Sequence, residues 1–63
     1  MFTIWHSQST GKNIPELNFL RINGIECEAV KSDIPNHTGI AVSSHISKAA
    51  RLLETNFGRG RYN

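Results

Sequence analysis

An α+β fold is predicted by three features of the sequence: period-two alternation at the start, an Asn23-Gly24 dipeptide between two apolar stretches, and a switch to helical period after Ser43. Together they imply a small antiparallel sheet of three strands, four if residues 40–42 join it. The sheet has a central Asn-Gly hairpin and packs against one C-terminal amphipathic helix. A chain of 63 residues is too short to close two cores, so one domain is expected over residues 1–57, followed by a short basic flexible tail over 58–63.

The first strand is read from Phe2, Ile4 and His6 alternating with Thr3 and Trp5, aromatic and β-branched residues that suit a pleated surface. Ser, Thr, Gly and Asn cluster over residues 7–13 and mark a loop, with Pro15 opposing a helix through Asn13 and Ile14. Asn23-Gly24 tolerates the positive φ angles of a type I′ turn, which would join strands over residues 17–22 and 25–30. A two-residue turn then sets Ile22 opposite Ile25, Leu20 opposite Cys27 and Asn18 opposite Ala29 on the core face. Arg21 opposite Glu26 and Phe19 opposite Glu28 fall on the wet face.

Residues 31–39 hold Ser32, Asp33, Pro35, Asn36, Thr38 and Gly39, turn formers that predict an exposed connection crossing the molecule. Ile40, Ala41 and Val42 are β-prone but few, an added strand or a lead into the helix. From Ser44 the residues Ile46, Ala49, Ala50, Leu53 and Phe57 form one narrow stripe at helical spacing. Ser43 or Ser44 is placed to cap the start, and Gly58 follows as a terminating residue. Lys48, Arg51 and Thr55 face away from the stripe. Leu52 falls on its flank and is the apolar residue least explained by the core.

Composition narrows the function classes. One cysteine allows no internal disulfide, and the N-terminus lacks the charged start and apolar stretch of a signal peptide, so a cytoplasmic location is expected. Apolar runs of two or three residues are far below the roughly 20 needed to span a bilayer, so no membrane partner is expected. The net charge of +2 is uneven: residues 1–43 sum to −1, while 44–63 sum to +3 through Lys48, Arg51, Arg59 and Arg61 against Glu54.

No chemistry-bearing motif is complete. Cys27 faces the core in the hairpin register, between Glu26 and Glu28, and reads as a small buried hydrophobe rather than a nucleophile. His6, His37 and His45 lack the close pairing of a zinc site, so no metal is expected. Gly11-Lys12 lacks the upstream glycine and following Ser or Thr of a phosphate loop, and Asn36-His37-Thr38 spells a glycosylation acceptor without a secretory route. Glu26 and Glu28 share a strand face without a visible pocket. The expectation is therefore a protein that is not an enzyme and carries no cofactor.

What remains is surface. A small non-catalytic regulator or inhibitor acting by protein–protein contact, on another protein or a second copy of itself, is the first expectation. Its candidate contact residues are Lys48, Arg51 and Leu52 on the helix, Arg59, Arg61 and Tyr62 in the tail, and Trp5. The alternative is a small DNA- or RNA-binding protein, since the tail's guanidinium groups suit phosphates and its tyrosine suits an unstacked base. In its short length, start at Met1 and lack of catalytic groups, the chain resembles the small accessory proteins of phages and other mobile elements; that resemblance implies binding to host machinery.

Overall fold

The computed structural model describes residues 1–58. Five elements follow one another: β1 (Phe2–Ser7), α1 (Pro15–Ile22), β2 (Cys27–Lys31), β3 (Thr38–Val42) and α2 (Ile46–Phe57). The class is α+β with an antiparallel three-stranded sheet, as predicted, but there are two helices and the strand order is β1-β3-β2.

The main departure lies at residues 15–22, which form a helix where the Asn-Gly hairpin would place a strand. Pro15 occupies the first helical turn, where its missing N–H costs nothing and its fixed φ suits the helix. Ile14 before it is extended, at φ −105° and ψ 112°, as a residue preceding proline prefers. Ile14, Leu17 and Leu20, three apart, are all buried, whereas Ile22 is 83 % exposed. The pairings of Ile22 with Ile25, Leu20 with Cys27 and Asn18 with Ala29 therefore do not exist, nor do those of Arg21 with Glu26 and Phe19 with Glu28.

Asn23-Gly24 ends this helix instead of turning a hairpin. Gly24 has φ +77°. The Ile25 amide donates to the Leu20 carbonyl at 2.9 Å and the Gly24 amide to that of Arg21 at 3.0 Å. This is the Schellman arrangement, in which a left-handed residue lets the chain turn back and satisfy the last free carbonyls. Its usual apolar clasp is present too, because Leu20 and Ile25 are both buried in the core cluster.

The hairpin of this protein is β2–β3. Their register pairs Cys27 with Val42, Ala29 with Ile40 and Lys31 with Thr38. The connection between them does not cross the molecule; it joins neighbouring strands. Asn36 takes φ 64° and the His37 amide donates to the Ile34 carbonyl at 3.2 Å. Residues 40–42, the most ambiguous in the sequence, belong to the central strand. Ile40, Ala41 and Val42 are all essentially inaccessible because β3 is flanked on both sides. Gly39 is required there by close approach, since a Cβ at that position would sit 2.8 Å from Val30 Cγ2.

β1 pairs with β3 antiparallel and carries a bulge between Thr3 and Trp5. The extra residue, Ile4, lets both Ile4 and Trp5 join the core side, and Ser7 follows them inward. The predicted alternation of Phe2, Ile4 and His6 is broken at that point.

α2 matches its predicted stripe. Ala49 and Leu53 are fully buried, while Ile46 and Phe57 at its two ends are partly open. The cap differs: His45, in the left-handed region at φ 55°, stands at the N-cap and no side chain there accepts a backbone N–H. Leu52 packs against the core cluster and so is accounted for by it. Phe19 of α1 meets Phe57 of α2 edge to face, with ring centroids 5.7 Å apart, and joins the two helices. None of the described helices is long and apolar enough to cross a membrane.

Candidate functional site

Of the residues singled out in the sequence, those that the structure describes do not form one surface. Lys48 and Arg51 are exposed on α2, one turn apart. Leu52 is half-buried beside them. Trp5, expected as an off-core apolar contact, is only 2 % exposed and lies in the core. The bulge turns it inward. Arg59, Arg61 and Tyr62, with the rest of the expected basic tail after Gly58, lie outside the described residues.

Cys27 is buried as expected, although not through the hairpin register from which that was read: it pairs with Val42 in place of Leu20. Its thiol approaches the Leu17 carbonyl of α1 at 3.6 Å. Burial pushes the Cys27 thiol pKa up, and the Arg21 guanidinium works in the opposite direction. A thiol held in its neutral form is a poor nucleophile. The three histidines stand apart in local roles. His6 Nδ1 lies 2.7 Å from Ser32 Oγ, tying β1 to the β2–β3 turn, and that same Ser32 oxygen accepts the Ile34 amide. His37 Nδ1 lies near the Pro35 carbonyl and His45 Nδ1 near Ser44 Oγ.

A cleft of about 280 Å³ opens where three elements end together. Residues 5–9 at the close of β1 form one wall, Pro15 and Glu16 at the start of α1 another, and Phe57 at the end of α2 the third. The Phe19–Phe57 contact fixes that third wall. Two polar side chains of these walls are buried. Ser7 is 1 % exposed and Glu16 8 % exposed, the two buried polar residues of the described chain. The Ser7 hydroxyl donates to Glu16 Oε1 at 2.9 Å and accepts the Ser9 amide at 3.0 Å. The Ser9 amide thereby orients the hydroxyl proton toward the carboxylate.

Each member of this arrangement has a local cause. Ser7 is turned inward by the β1 bulge two residues earlier. Glu16 occupies the first turn of α1, where unpaired backbone amides and the positive end of the helix dipole favour a carboxylate. Among the described residues Glu16 makes no ion pair; its hydrogen-bond partner there is the neutral Ser7. A carboxylate at the edge of a cleft is a site to which a group of opposite charge can come. The open side of the cleft provides that approach.

Sequence reasoning missed this site. Pro15-Glu16 is a helix-start signal, and reading it so would have placed Glu16 in a first turn. Nothing in the sequence brings Ser7 to it. No family model, curated protein or solved structure matches the chain.

Proposed function

We propose that the protein is a small non-catalytic binding protein, a regulator or inhibitor that acts by protein–protein contact through the free edge of its sheet. The observation that carries this reading is the apolar, uncharged edge at β1. Among the described residues β1 has a single neighbouring strand, β3, which makes it an edge of the sheet. Phe2 is 61 % exposed and Met1 beside it 55 % exposed, while β1 contains no charged residue. The opposite edge, β2, carries Glu28 and Lys31, charges that discourage pairing with another strand. An extended segment of another protein, or β1 of a second copy, would add a strand at β1 and cover Phe2. The buried free thiol of Cys27 fits a reducing, cytoplasmic setting.

The test is Phe2→Lys, a change at an exposed side chain that places a charge on the edge. The unaltered chain is expected to self-associate in sedimentation or to retain a protein in a pull-down, and the variant to lose that association while keeping the melting temperature that the unaltered chain has at high dilution. A chain that stays monomeric and retains nothing refutes the proposal, as does association that survives Phe2→Lys.

Nucleic-acid binding is the second reading, supported by Lys48 and Arg51 both being exposed on one helix. Lys48→Ala with Arg51→Ala should then weaken DNA or RNA binding and flatten its salt dependence by about one unit per lost phosphate contact. Absence of binding at low salt excludes it.

A further inference from the structure

The geometry points to the Glu16–Phe57 cleft as a receptor for a planar cation, a guanidinium group held against the Glu16 carboxylate and the ring of Phe57. This inference goes beyond the edge-pairing proposal and uses a different surface.

Three observations converge on that chemistry. The first is the Glu16 carboxylate itself, more than nine-tenths buried at the wall of a cleft, with Oε1 fixed by Ser7 and without a basic partner among the described residues. A buried carboxylate in reduced dielectric attracts an opposite charge far more strongly than one on the surface. The second is the lining. Phe57, 36 % exposed, contributes aromatic surface to the cleft, and a weakly hydrated, delocalised cation is the one best suited to lie against a ring while pairing with a carboxylate. The third is the size: about 280 Å³ is ample for a guanidinium together with the stem that carries it.

Competing ligands fit less well. An anion would meet the Glu16 charge. A divalent metal needs several oxygen or nitrogen ligands, and the described residues hold no group of three such side chains close enough together. A neutral amide would gain hydrogen bonds but leave the carboxylate uncompensated.

The guanidinium has two sources with the same chemistry: an arginine of another molecule, or Arg59 and Arg61 of this chain, which follow Phe57 by two and four residues in sequence. The experiment therefore uses methylguanidinium as probe, titrated into the full-length chain and into an Arg59→Ala/Arg61→Ala variant, with backbone amide and Trp5 indole shifts recorded by NMR. Saturable shifts confined to residues 5–9, Glu16 and Phe57 are expected, with none from N-methylurea, the neutral molecule of the same shape. Glu16→Gln, which keeps an acceptor for the Ser7 hydroxyl, is expected to weaken binding at least about tenfold. Tighter binding to the double-alanine variant than to the unaltered chain supports the site with the chain's own arginines as competitors. Equal binding supports it with an external arginine as ligand. The proposal is overturned if methylguanidinium gives no saturable shift in either protein, if N-methylurea binds equally well, or if a folded Glu16→Gln binds unchanged. The methylurea comparison uses the unaltered chain and so stands whether or not the glutamine variant folds.

Discussion

Asn23-Gly24 illustrates how one residue pair can serve two structures. A left-handed backbone is needed both by a type I′ hairpin turn and by a Schellman helix end, and glycine supplies it at low cost in either. The decision was made by residues outside the pair: Pro15 starts a helix, and Leu17 and Leu20 bury at helical spacing. Gly24 at φ +77° has open space around its Cα, so an added Cβ meets no neighbour and the penalty is purely one of backbone conformation. Gly24→Ala is therefore expected to destabilise the fold by about 1 kcal/mol, seen as a lower urea midpoint with an unchanged slope. At Cys27, the raised thiol pKa gives a pH-dependent contribution. Its effect is fully present below the ordinary value of 9.0 and is lost as pH climbs from there toward the higher folded value, because the unfolded chain ionises first. Stability measured against Cys27→Ala should converge on the variant's above pH 9.0. A constant difference across that range would show that Cys27 contributes by packing alone.

Among the elements, legibility followed how much local pattern each one carries. α2 was readable because twelve residues repeat one apolar stripe and Gly58 marks the end. β1 and β2 were readable as strands, although the β1 bulge, which moves Trp5 inward, leaves no trace in its six residues. α1 is eight residues long, and over so short a span Leu17, Phe19, Leu20 and Ile22 satisfy a period of two nearly as well as one of 3.6. β3 was hardest, since Ile40, Ala41 and Val42 do not alternate; a strand flanked on both edges and covered on its faces has no wet side to record. The Ser7–Glu16 contact in the cleft was invisible for a related reason, because it forms across a loop and between two different elements. The central position of β3 makes a prediction of its own. Native-state hydrogen exchange should find its amides among the slowest of the chain, opening only with global unfolding. Faster exchange in β3 than in α2 would contradict the strand order.

At the level of the whole molecule, the number that matters is the size of the core against the size of the chain. A domain of this length buries only about 60% of the surface its unfolded chain exposes, so net stability is small and any binding event weighs heavily in it. The core is one cluster joining both helices to the sheet, which ties the β1 edge, α1 and α2 into one cooperative unit. If a second copy adds its β1 at the free edge, mass action stabilises the folded dimer, and the gain grows with the logarithm of concentration. For a domain of 60 to 100 residues each kcal/mol moves the melting temperature by about 4–8 °C. A hundredfold rise in chain concentration would contribute about 2.7 kcal/mol per dimer, or about 1.4 kcal/mol per chain, if association is already saturated, a shift of about 5–10 °C. The expected result is a melting temperature that climbs with concentration in the unaltered chain and stays level in Phe2→Lys, the two converging at high dilution. Convergence is the informative part. It would mean that Phe2, exposed in the single chain, adds nothing to the fold and acts only when another strand covers it. A melting temperature independent of concentration in both proteins excludes a second copy as the β1 partner and leaves the edge to a different protein.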